Sequence, residues 1–155
     1  MDRYISILKN SFLKLNILII DDNTIYLENL QEILEKEAKQ KVFTAETGKK
    51  GFEIIKRQEL LKDRIDIAMV DFILPGEEDG IEICKQIYNN YPYIDLLIIS
   101  TKNDMTTKLE ISNHPFIITL VPKKINTNLT EVLVTLLSNK EYKNSQGSLI
   151  NYIPN

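Results

Sequence analysis

Five short apolar runs, each followed by a stretch with helical spacing, constrain this chain more than any other feature. Asn16–Asp22, Val42–Glu46, Ile65–Asp71, Ile94–Ser100 and Phe116–Val121 are predicted strands. Several are apolar at successive positions, the pattern of strands covered on both faces. Between them apolar residues recur at spacings of three and four. Leu27, Leu30, Leu34 and Ala38 share one face of a first helix, with Asn23 or Thr24 as its N-cap. Ile54, Ile55 and Leu61 mark a second helix, and Ile81, Cys84, Ile87 and Tyr88 a third. A short fourth covers about residues 105–112, and Leu129, Leu133, Leu136 and Leu137 mark a fifth. Strand then helix, five times over, predicts an α/β fold with a parallel sheet and helices on both sides.

A chain of 155 residues fits one domain with a core of its own. Its net charge of −3 gives no ground for direct contact with nucleic acid or an anionic membrane. No apolar run approaches the roughly 20 residues of a membrane span. One cysteine, Cys84, excludes an intramolecular disulfide and a cysteine metal cluster. The N-terminal stretch lacks a signal-peptide core and a cleavage site. Together these features predict a cytoplasmic protein. Cys84 reads as a small core residue and His114, the lone histidine, as a loop residue. Residues 1–14 read as an N-terminal extension, 15–138 as the domain, and 139–155 as a polar tail or the start of a linker.

Parallel sheets of this kind bind ligands beyond the carboxyl ends of their strands. There the first strand ends in Asp21-Asp22, the third in Asp71 and the fourth in Ser100-Thr101, while Lys123 follows the fifth. Taken singly, each has an ordinary reading: a helix cap, a turn, a loop hydroxyl, a solvated ammonium. On one edge they make three carboxylates, a hydroxyl and an ammonium in one small site. Two like charges about 4 Å apart cost roughly 4 kcal/mol at an effective dielectric near 20. A hard divalent cation with oxygen ligands, Mg2+, is the natural relief, and Lys123 adds further positive charge. An aspartate at such a cationic site, beside a hydroxyl donor, is placed to attack a phosphoryl group and form an aspartyl phosphate.

The acidic pair in IIDDN, the Asp in MVDFILPG, the Ser in IIST and the Lys in VPKKI occur in an order and spacing that resembles the receiver domain of two-component response regulators. The resemblance covers about residues 15–138. It implies a flavodoxin-like, doubly wound (βα)5 sandwich with strand order 2-1-3-4-5. It implies Asp71 as the phosphoacceptor and Asp22 as the direct Mg2+ ligand. Asp21 would act through water, and the backbone carbonyl of Ile73 would complete the protein ligands. Ser100 and Lys123 would hold phosphoryl oxygens, with Ser100 turning inward as the switch. The donor would be a sensor histidine kinase or phosphotransfer protein. The face of the fourth helix, fifth strand and fifth helix would carry a homodimer or output partner. Such a chain is a signalling switch, catalysing only its own phosphoryl transfer and slow self-dephosphorylation.

Four features depart from the family pattern. Lys124 stands where the family has proline, and a cis bond before a non-proline residue costs roughly 2.5–4 kcal/mol. Leu120 replaces an aromatic switch residue. Thr101 replaces a smaller residue and narrows access to the acceptor. The loop PGEEDG is one residue longer than usual. Two positions tune phosphate lifetime in the family, here Ile73 and Lys102. Ile73 cannot hydrogen-bond an attacking water, which predicts a long-lived phosphate. The departures leave an alternative, a pseudo-receiver that binds partners without phosphate. A dehalogenase-type phosphatase would need DxDxT, and the run here is DDNT.

Overall fold

A computed structural model describes residues 14–123 apart from 38, 77 and 103. Five parallel strands, β1 (Asn16–Ile20), β2 (Lys41–Ala45), β3 (Ile67–Asp71), β4 (Asp95–Ser100) and β5 (Ile117–Pro122), form one sheet in the order β2-β1-β3-β4-β5. Helices α1 (Thr24–Glu32), α2 (Gly48–Leu60), α3 (Gly80–Asn90) and α4 (Met105–Ser112) connect them, and α1 runs on into a π-helical turn at Ile33–Glu37. This is the flavodoxin-like α/β sandwich and strand order expected. The predicted fifth helix, the Lys123–Lys124 peptide, the extension before residue 14 and the polar tail lie outside the described residues. Among the described residues no helix is long and apolar enough to cross a membrane.

The continuous apolar runs are explained by two cores, one on each face of the sheet. Ile17, Ile19, Met69, Leu97 and Ile99 point to one face and meet Leu27, Leu30 and Leu34 of the first helical segment. Their strand neighbours Leu18, Ile20, Ala68, Val70, Leu96 and Ile98 point to the other and meet Ile55, Ile81, Cys84 and Ile87. Each of the Val, Leu, Ile and Met side chains contributes about 1.5–3 kcal/mol on burial. Two residues assigned to helix faces stand outside these cores: Leu61 is 65% exposed and Tyr88 45%. Leu61 is the residue that caps the end of α2, and Tyr88 lies beside the core on the last turn of α3, stacked on Phe116 with ring centroids 5.2 Å apart. Each helix begins on a side chain that accepts from its first turn: Asn23, Thr47, Asp79 and Asp104.

The β4–β5 ladder carries one irregularity. Leu96 pairs with Ile117 but Leu97 with Thr119, so Ile118 has no opposite number on β4.

The amino edge of the sheet is clamped by Asn16. Its side-chain amide donates to the Asp63 carbonyl (3.1 Å), the Asp63 carboxylate (2.7 Å) and the Arg64 carbonyl (2.9 Å). Its backbone N–H donates to Asp66 at 2.8 Å, fixing the turn that leads into β3. Asn16→Ala is expected to cost about 2 kcal/mol, since a nearly buried site loses both amide N–H donors, which three acceptors share. A urea midpoint unchanged from that of the parent protein would contradict this.

Candidate functional site at the carboxyl edge of the sheet

β1 ends at Ile20, two residues earlier than expected, but Asp21 N–H still donates to the Ala45 carbonyl at 3.0 Å. That bond continues the ladder far enough to bury Asp21 completely, while Asp22 is exposed. An Asp21 carboxylate oxygen accepts from Asn23 N–H at 2.9 Å, which sets the turn into α1. β3 includes Asp71 as its last residue, also buried. Carboxylate oxygens of Asp21, Asp22 and Asp71 lie within 4.8 Å of one another. The structure thus brings together the three acids predicted from sequence.

Lys123 closes the site. Its ammonium is 2.5 Å from Asp21 and 3.0 Å from Asp71, and its side chain is 10% exposed. Its backbone N–H donates to the Ser100 carbonyl at 2.8 Å, tying the end of β5 to the end of β4. Ser100 is buried, and its hydroxyl accepts from Lys102 N–H at 2.9 Å. Ile73 N–H lies 3.4 Å from an Asp71 oxygen, a long contact, and the Ile73 side chain is 54% exposed. Thr101 is exposed.

The loop after Asp71 is held from several sides. Gly76 turns it with φ +77°, a conformation that favours glycine. Glu78 accepts from Gly48 N–H at 2.7 Å, where α2 begins, and Asp79 caps α3. Gly80 N–H donates to the Phe72 carbonyl at 3.1 Å. A Cβ on Gly80 would sit 2.1 Å from the Asp71 carbonyl oxygen, so α3 starts directly against the backbone of the central aspartate.

Burial pushes the Asp71 carboxyl up to about 6, against the hydrogen bond from Lys123, and the neighbouring Asp21 charge adds to the rise. Burial would pull the Lys123 ammonium down, but the two carboxylates outweigh it and hold it above the usual lysine value. Among the described residues, one ammonium faces three carboxylates. The donor set is all oxygen and carries surplus negative charge with one exposed member, which fits a hard cation such as Mg2+.

Sequence reasoning missed Tyr26. Its ring centroid lies 5.1 Å from Lys123 Nζ. Burial first, then the charges of Asp21 and Asp71, pushes its phenol up to about 12. An aromatic residue four positions after an acidic pair, in the first turn of a capped helix, was the available signal. By contrast, Cys84 and His114 stand as read. The thiol is buried and pushed up by burial, and the imidazole sits against Phe116 with ring centroids 5.5 Å apart.

Comparison with known proteins agrees with this geometry. Residues 17–135 match the sequence model of the response regulator receiver domain. A protein of Arabidopsis thaliana whose name describes a two-component response regulator is 30% identical over 142 residues. That match covers 91% of this chain but only 22% of the relative's length. A receiver domain protein from Clostridium thermocellum superimposes with a TM-score of 0.68 at 20% identity, covering 86% of this chain and 99% of that one. The BeF3-activated receiver domain of DrrB, a Thermotoga maritima protein, does so with a TM-score of 0.60 at 22% identity, covering 81% and 96%. At those identities the solved structures speak for the fold alone.

Proposed function

This chain belongs to the response regulator receiver domain family, and on that premise we propose that Asp71 accepts a phosphoryl group in a Mg2+-dependent reaction. The observation that carries the reading is the Lys123 ammonium, shared by Asp21 and Asp71 within a cluster of three carboxylates. Asp21, Asp22, Asp71 and the Ile73 carbonyl would hold the ion, whose chemistry is to neutralise charge on carboxylate and phosphoryl oxygens. An Asp71 oxygen attacks the phosphorus of a phosphohistidine on a sensor kinase or phosphotransfer protein. The O–P bond forms as the P–N bond breaks, and the leaving imidazole is free to take a proton from water. Lys123 and Ser100 then hold phosphoryl oxygens. For this the Ser100 hydroxyl gives up the Lys102 amide, and the Lys123–Ser100 backbone bond couples the two changes.

The chain is then a cytoplasmic signalling switch with no separate substrate. Its partner or homodimer face would include α4 and β5, where Met105 and Leu109 are exposed one helical turn apart. Incubation with acetyl phosphate and Mg2+ is expected to add one phosphoryl group by intact mass. Chelation of the metal and Asp71→Asn should each abolish the gain. Absence of both labelling and Mg2+-dependent beryllofluoride binding would leave the pseudo-receiver reading in its place. The apolar Ile73 predicts a phosphate lifetime longer than that of receivers with a polar residue there, shortened in Ile73→Asn, which can orient water. A parent half-life of seconds would contradict this.

A further inference from the structure

Tyr26 has no part in the mechanism so far, yet it borders the site. Its amide is held by the Asn23 side chain at 3.1 Å, and its ring packs on the core face built by β1, β3 and β4. The ring centroid is 5.1 Å from Lys123 Nζ, inside the roughly 6 Å over which an ammonium is drawn to an aromatic face. Asp21 and Asp71 hold the same ammonium. Those two carboxylates, however, are the groups a metal ion and a phosphoryl group would claim. The ring is uncharged and keeps its attraction whatever the carboxylates bind. Its phenol stays protonated at neutral pH and adds no fourth negative charge.

We propose that Tyr26 is a positioning residue, whose ring holds the Lys123 ammonium over the strand edge while Asp21 and Asp71 turn to metal and phosphoryl group. The proposal rests on the phosphoacceptor reading above, and its test separates the two. Wild type, Tyr26→Phe and Tyr26→Leu are compared with 13C-labelled lysine, the Lys123 signal being assigned by its loss in Lys123→Met. The Lys123 Cε methylene is expected upfield, by ring current, in wild type and Tyr26→Phe and not in Tyr26→Leu. That displacement should persist on adding Mg2+, and then beryllofluoride. Labelling by acetyl phosphate should stay within about twofold of wild type in Tyr26→Phe and fall about tenfold in Tyr26→Leu, the loss of one partly desolvated cation–π contact. Mg2+ affinity should be equal in all three, which a general loosening of the site would not allow.

An unshifted Lys123 signal in wild type, or its loss when Mg2+ binds, overturns the proposal. So does a Tyr26→Leu variant labelled at the wild-type rate, or a Tyr26→Phe variant as slow as Tyr26→Leu. If wild type takes up neither phosphoryl group nor beryllofluoride, the phosphoacceptor reading fails. The Mg2+ arm of the NMR experiment still decides where the ring holds Lys123.

Discussion

Replacing Lys123 by methionine is expected to destabilise the metal-free protein by about 3 kcal/mol, the low end for removing one partner of a buried ion pair. Asp21 is wholly buried and Asp71 nearly so, and Lys123 is the ammonium held by both. The loss should depend on pH with a definite sign. Asp71 titrates near 6 in the folded protein, above its unfolded value. The folded state therefore holds the extra proton, and stability falls as pH rises from about 4 through that value. Without the ammonium the Asp71 carboxyl rises further and the window extends upward. Thermal unfolding of the variant should thus drop further below the parent at pH 8 than at pH 5. Millimolar Mg2+ should narrow the gap at pH 8 by supplying the missing charge. A gap independent of both pH and Mg2+ would mean that Lys123 acts through packing alone.

Gly80→Ala carries the second large effect, a loss of about 3 kcal/mol or more, because backbone rather than a flexible side chain blocks the new methyl. The added Cβ would lie 2.1 Å from the Asp71 carbonyl oxygen and 2.9 Å from Phe72 Cα. Something must move, either the start of α3 or the acceptor itself, and phosphoryl labelling should slow along with the drop in urea midpoint. Gly76→Ala is the control. It meets nothing within 4 Å, and its φ of +77° carries the only strain, so it should cost about 1–2 kcal/mol and leave labelling intact. Equal losses in the two variants would show that the close approach at Gly80 is not what makes glycine necessary there.

Most of the fold was legible because a doubly covered parallel strand reads as an unbroken apolar run. The acids Asp21, Asp22 and Asp71 were legible because a charge at the end of such a run has few structural reasons to be there. Other features escaped for identifiable reasons. Tyr26 looks like any aromatic on the apolar side of a helix, and only the turn set by Asn23 carries it over the strand edge. Asn16 opens a strand at the amino edge, away from where a ligand was sought, and its partners lie 47 and 48 residues away in sequence. Gly80 reads as a loop glycine until α3 and β3 are docked. Leu61 and Tyr88 follow helical spacing faithfully, but spacing does not say that α2 ends at the first or that the second stacks on Phe116 at the edge of the core.

The unmatched Ile118 has a mechanical consequence. β4 is anchored on its other side to β3 across five successive pairs, whereas β5, described only along β4, holds one residue more than its neighbour requires. The extra residue bends β5 and increases its local twist, which sets the aim of the stretch from Thr119 to Pro122 and of the lysine beyond it. The cation that closes the site thus follows the strand that carries the bulge, and the carboxylates it faces stand at the ends of strands paired to one another without a shift.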